Sequence, residues 1–252
     1  MSLARWVPPL LLLAAPAPAL ADGADDAPQP ERARLLSGFA AQDRPMGIAE
    51  FGIGALTLPG AEICGTTMEG EAPDCTQGDA SFSVEAWPLY RPSVHYAFGA
   101  GIMMGLIPTT IPPQQEPTDT TIERDHSRSY LTVEGMGRYY LYVGEKTEFW
   151  AGITGGLVVV SDRFVVESGV LADRALVGRQ GVTIRTEGGS VGIAFGAAFA
   201  IAENWSWGAS LRYGQWFLPD VPAEDPLGSQ ASLVGRNSYI TLGVGVAYRS
   251  VL

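Results

Sequence analysis

The chain has 252 residues, enough for one large domain or two small ones, and 46% are hydrophobic against 17% charged. Soluble domains carry about a quarter charged residues, so this balance is unusual. The formal net charge of −11 excludes nucleic acid as a partner, because phosphate binding needs a basic surface. The 31 glycines argue against an architecture built from helices.

The first segment, MSLARWVPPLLLLAAPAPALA, has a basic residue (Arg5), an apolar run (Leu10 to Ala15) and a small-x-small ending (Ala19-Leu20-Ala21). It predicts a secretory signal peptide over 1–21, cleaved after Ala21. No Cys follows the expected cleavage site, so no lipid anchor is expected. Residues 22–45 form a polar, Pro-containing tail, with a short helix expected over Glu31 to Gln42. Elsewhere no run of about 18 uninterrupted apolar residues predicts a membrane-spanning helix.

From residue 46 the pattern alternates with period two, the signature of strands. MGIAEFGIGALTL (46–58) sets Phe51, Ile53 and Ala55 against Glu50, Gly52 and Gly54. FSVEAWPLY (82–90) sets Phe82, Val84 and Ala86 against Ser83, Glu85 and Trp87. VHYAFGAGIMMGL (94–106) sets Tyr96, Phe98 and Ile102 against His95, Ala97 and Gly99. The same reading covers 129–142, 148–160, 189–201, 205–217 and 239–252, which makes eight strands. Between them, long connections (about 60–80, 108–127, 161–184 and 219–236) alternate with tight ones at 91–93, 144–146 and 202–204. That predicts an all-β, eight-stranded antiparallel up-and-down barrel over 46–252, with both termini at the tight-turn end.

Cys64 and Cys75 fall in the first long connection. In an exported chain they are expected to form a disulfide, contributing about 2–3 kcal/mol. Two thiols without a nearby His make an incomplete metal site, and no cofactor motif is present.

Three features set the large apolar face outward, against lipid. An eight-stranded interior is barely wide enough for its side chains, so small residues and a few long charged ones are expected inside. The strands lack the surface charges that defend water-facing sheets. Tyr90, Tyr96, Tyr139, Phe149, Trp205, Trp207 and Tyr248 gather near the tight-turn end, as an interfacial aromatic girdle does. With this arrangement the chain resembles the small eight-stranded outer-membrane β-barrels of Gram-negative bacteria, of the OmpA transmembrane-domain, OmpX and OmpW type, over about 46–249. Thr241, Gly243, Val246 and Tyr248 resemble the terminal signal read by the barrel-insertion machinery, although four residues follow Tyr248. The resemblance implies an outer-membrane location, contact with outer-membrane lipid and lipopolysaccharide, and periplasmic N- and C-termini. It also implies that a surface ligand would be met by the long loops.

On the lumen face, Glu50, Glu85, His95, Glu134, Arg138, Arg212 and Arg249 are expected to form a charge network, with Glu50 and Arg249 on strands that become neighbours on closure. Such a network plugs a barrel, or gates a narrow small-solute channel. Asp125-His126-Ser127 has the letters of a catalytic triad, but adjacent residues point to different sides and cannot relay a proton. A lipid-modifying barrel enzyme is thus the remoter alternative, and no catalytic residue is assigned. A structural or surface-interaction role, without cofactors, is the leading expectation.

Overall fold

The computed structural model describes residues 45–64, 75–105, 109–111, 124–166, 181–224 and 231–252; at 62–64, 75–77, 109–111, 124–126, 164–166, 181 and 182 the description is of backbone alone. The expected signal peptide and residues 22–44 of the tail lie outside the described residues. Nine strands are described: β1 (Met46–Cys64), β2 (Cys75–Arg91), β3 (Tyr96–Gly105), β4 (Thr109–Ile111), β5 (Arg124–Val143), β6 (Thr147–Val166), β7 (Gly181–Ala200), β8 (Trp205–Phe217) and β9 (Arg236–Val251). β3 and β4 both pair with β5 and form one stave, so the wall has eight. Neighbours in sequence pair antiparallel throughout, and β1 closes on β9 from Met46↔Val251 to Thr57↔Ile240. The Leu252 amide donates to the Pro45 carbonyl at 3.0 Å, which carries the seam one residue further. The chain is a closed eight-stranded antiparallel β-barrel.

The strands run further than the alternation alone indicated. β1 and β2 stay paired to Cys64↔Cys75, and β6 and β7 to Val165↔Gly181. Segments 60–80 and 161–184, expected as connections, are therefore partly ladder. The β1 alternation is interrupted by Pro59-Gly60, where the register slips between Leu58 and Glu62, so the period-two signal ended there. In β6 the run Leu157-Val158-Val159-Val160 is apolar on both faces, which hid its continuation.

Alternation sets the two faces as the sequence predicted. Phe98, Ile193 and Val244 are exposed, whereas Ala194 and Gly243 are buried. On β5 the apolar outward positions run from Leu131 to Leu141, and on β6 from Phe149 to Val159. Ten residue steps at about 3.3 Å, tilted by roughly 40°, give a belt about 25 Å tall, the height of a membrane-spanning band. Its described outward charges stand at the long-connection end alone: Glu187 beside Val159, and Arg236 beside Phe217. At the tight-turn end Trp205 lies against Tyr248 (ring centroids 5.1 Å), Tyr96 against Tyr139 (5.3 Å), Tyr90 against Phe98 (5.4 Å) and Trp207 against Phe199 (4.7 Å). A bulge at Leu141 turns both Leu141 and Tyr142 outward, which adds Tyr142 and Phe149 to this ring. These are the proportions of a transmembrane barrel.

Val244 sits mid-belt between Ala209 and Ile53. Val244→Arg is expected to cost about 2–4 kcal/mol in lipid, because no water hydrates a charge at that depth. Equilibrium unfolding in lipid vesicles measures this, and a neutral effect would remove the apolar wall from the membrane.

Candidate functional site

The lumen is packed in layers along the barrel axis. Nearest the tight turns, Glu148 takes two arginines. Arg91 Nη1 donates to it at 2.9 Å, and Arg249 Nη2 donates to its other oxygen. Arg91 also lies over the Tyr140 ring at 3.7 Å and donates to the Val94 carbonyl at 2.5 Å, which ties the β2–β3 turn to the lumen floor. One layer up, the Arg138 fork donates to both oxygens of Glu50, each at 2.6 Å, and stacks over Trp150 at 3.9 Å. At mid-height Arg212 lies between Glu85 and Glu134, donates to Thr241 Oγ1 at 3.2 Å, and sits 5.0 Å over Trp87. Trp87 Nε1 donates to Glu85 at 3.0 Å, and Ser190 and Tyr239 hydroxyls donate to Glu134.

Above these an apolar cluster crosses the lumen: Leu56, Leu58, Met103, Val158, Trp216 and Leu233 among others. The mouth is closed by Arg128, which reaches Asp79 at 3.1 Å, Asp162 at 3.3 Å and Ser232 Oγ at 2.7 Å. Ser232 belongs to the β8–β9 connection. Its backbone amide donates to Asp162 at 3.0 Å, and Leu218, Ala231 and Leu233 beside it are buried. The described part of that connection, at 231–233, thus lies over the lumen rather than away from it.

The lumen interior is bulkier than the width argument allowed. Trp87, Trp150, Trp216, Tyr130, Tyr140 and Tyr239 all point inward. They fit because glycines face them. A Cβ at Gly101 would overlap the Trp87 ring, one at Gly196 the Trp150 ring, and one at Gly214 the Tyr239 ring. Large side chains from some staves thus occupy the space that glycines on others leave open, at crystal-like density.

Of the seven residues expected in the lumen network, Glu50, Glu85, Glu134, Arg138, Arg212 and Arg249 all point inward and bear ion pairs. His95 does not join them. It is an exposed residue of the β2–β3 turn and stacks against Tyr139, ring centroids 6.0 Å apart. The β3 ladder begins only at Tyr96, so the alternation that placed His95 inside does not extend to it. Glu50 and Arg249 lie on neighbouring strands, yet each pairs elsewhere, Glu50 with Arg138 and Arg249 with Glu148. The sequence reading missed Arg91 and Glu148, which flank the tight turns, Asp79 and Asp162, which fall in segments read as connections, and Arg128, which falls between a connection and a strand. Phase was the available signal: Arg128, Tyr130 and Thr132 continue the inward positions of Glu134. The side chains of Asp125 and His126 lie outside the described residues.

Among the described residues the lumen charges between the two mouths balance, with Glu50, Glu85, Glu134 and Glu148 against Arg91, Arg138, Arg212 and Arg249. A cavity of about 50 Å³ remains beside Glu50, Glu85, Trp87 and Trp150, against the small wall of Ser206, Gly208 and Ser210. Its lining mixes the two carboxylates and the serine hydroxyls with apolar groups, and it has room for a few waters.

No protein-family model matches the chain, and no curated protein matches it. Solved structures resemble it at low identity. Neisserial surface protein A is 10% identical, covering 81% of this chain and 96% of its own, with a TM-score of 0.46. The attachment invasion locus protein of Yersinia pestis, in complex with the heparin analogue sucrose octasulfate, is 11% identical over 83% and 100%, with a TM-score of 0.43. The outer membrane protein AlkL in lipid bilayers is 12% identical over 93% and 97%, with a TM-score of 0.43.

Glu148 is 1% exposed and shared by two buried guanidiniums, whereas the Glu50 side chain is 22% exposed, at the cavity. Glu148→Ala is expected to destabilise the barrel by about 3–5 kcal/mol, the cost of breaking a buried pair. Glu50→Ala should cost less, since water can reach Arg138 through the cavity. Unfolding of both variants in vesicles decides the order.

Proposed function

We propose that the protein is an integral outer-membrane barrel of a Gram-negative bacterium whose plugged lumen makes it a rigid mount for surface interaction through its long connections, not a conduit or an enzyme. The observation that carries this reading is the succession of paired charged layers and an apolar cluster along the described interior, with a cavity of only about 50 Å³ beside Glu50 and Glu85. Ions crossing it would have to part several desolvated pairs at once. With a signal peptide delivering the chain to the periplasm, the tight turns and both termini lie there and the long connections face outward.

The backbone register places Cys64 directly opposite Cys75 at the last rung of β1 and β2. Opposed Cα atoms in an antiparallel pair lie about 4.5–5.5 Å apart, within the span of a disulfide. That supports an oxidised pair closing the first long connection.

In planar bilayers the purified protein is expected to give no conductance steps, and the same preparation is expected to leave the mass of added lipid A unchanged. Discrete steps would establish the channel reading, and a mass change the lipid-modifying one. On intact cells, protease is expected to cut within Pro108–Ser127 and spare Gly144–Lys146; the reverse would invert the topology. Thiol labelling of unreduced protein is expected to find neither Cys64 nor Cys75, and labelling of both would sink the disulfide.

A further inference from the structure

Among the described residues every buried arginine is paired with a carboxylate, but the exposed Arg163, Arg185 and Arg236 are not. Arg163 on β6 and Arg185 on β7 point outward, and neither forms an ion pair among the described residues. They lie just above the apolar belt on the long-connection end. The register across three staves places Ser127, Arg163 and Thr183 on one rung, and Ser129, Ser161 and Arg185 on the next. All six share the outward face, since the alternate residues Arg128, Asp162, Ile184 and Thr186 are buried. The rung below is Leu131, Val159 and Glu187, where the belt begins and where the nearest described outward carboxylate stands.

We infer that this β5–β6–β7 wall binds phosphate carried on a lipid headgroup, through the guanidiniums of Arg163 and Arg185 and the hydroxyls around them. Its height is the first argument. The two rungs stand two and four residues above Val159, or roughly 5 and 10 Å with the strand tilt, which is the headgroup layer. Its chemistry is the second. Arg163 and Arg185 are diagonal neighbours on one face, with Cα atoms about 7–8 Å apart, so both long side chains can converge on one phosphate. Four hydroxyls supply further donors on the same two rungs. Its shape is the third. Among the described residues the wall is open to solvent at Arg163, Thr183 and Arg185, so a free anion at physiological salt would be held weakly. A headgroup anchored by its tails in the belt below is presented at high effective concentration and needs no pocket.

The test uses full-length mature protein in an uncharged detergent, and native mass spectrometry reads the fraction that retains added lipid. Phosphatidic acid is expected to be retained at least tenfold better than diacylglycerol, which has the same tails without the phosphate. R163Q/R185Q should lose that preference, R163K/R185K should keep most of it, and the single Arg185→Gln should fall between. Arg236→Gln removes an exposed arginine on β9, which lies over Phe217, and should change nothing. Inorganic phosphate at millimolar concentration should not displace the lipid. Equal retention by R163Q/R185Q and the native protein would overturn the inference. So would an equal loss in Arg236→Gln, which would mean general surface charge, or displacement by inorganic phosphate, which would mean a free-anion site. Insertion into vesicles, scored separately by protease protection, distinguishes failure of this surface from failure of the membrane reading.

Discussion

Everything in this barrel follows from the closure of β1 on β9. Twelve consecutive rungs join the two ends of the chain, from Met46↔Val251 to Thr57↔Ile240. Closure leaves no edge strand within the belt, so every backbone donor and acceptor of the wall can be paired inside hydrocarbon, where an unpaired one costs several kcal/mol. It also fixes the number of staves at eight, and so the width of the interior. That width cannot hold a continuous column of water beside the side chains that line it. The lumen must then be packed like a core, although it also has to carry polar residues, because the apolar positions of each strand are committed to the outside.

Two devices reconcile these demands. The first is steric. Inward positions of β7 are dominated by Gly, Ala and Ser, while β2, β5 and β6 send in Trp87, Tyr130, Tyr140 and Trp150. The Trp87, Trp150 and Tyr239 rings fill space left by Gly101, Gly196 and Gly214 on other staves, so volume is balanced across the lumen rather than along a strand. The second is electrostatic. Among the described residues arginine is the only cation in the packed lumen, and its planar group both bonds carboxylates and stacks on the rings, as Arg138 does with Glu50 and Trp150. One side chain thereby satisfies a buried charge and a buried aromatic face together.

These devices explain what the sequence disclosed and what it withheld. The fold was legible because the outward half of each strand is plainly apolar: Phe51, Ile53, Leu242, Val244 and Val246 repeat at every second position. The inward half is a record of three-dimensional fit. Nothing in one sequence says that Gly101 belongs to Trp87, or that Glu50 prefers Arg138 across the lumen to Arg249 on the adjoining strand. Phase alone places a residue inside; partner choice depends on shear and on side-chain reach. Phase also failed where it was interrupted. Pro59-Gly60 broke it in β1, a two-sided apolar run blurred it in β6, and a turn put His95 outside although it continues the β3 parity.

The same layering bears on how the protein can be used. Each charged layer pairs its charges to within one unit, and the surplus cation at Glu148 is offset by the surplus carboxylate at Arg212. Loss of one pair therefore leaves the others closed, and a signal at one mouth has no continuous polar path to the other. The β8–β9 connection adds a further seal, because Ser232 is held by Asp162 and Arg128 while Leu233 sits in the apolar cluster. A barrel built this way is poorly suited to transmit anything along its axis. Among the described residues, what distinguishes it chemically lies on the wall above the belt, where Arg163 and Arg185 stand among hydroxyls with no carboxylate paired to them.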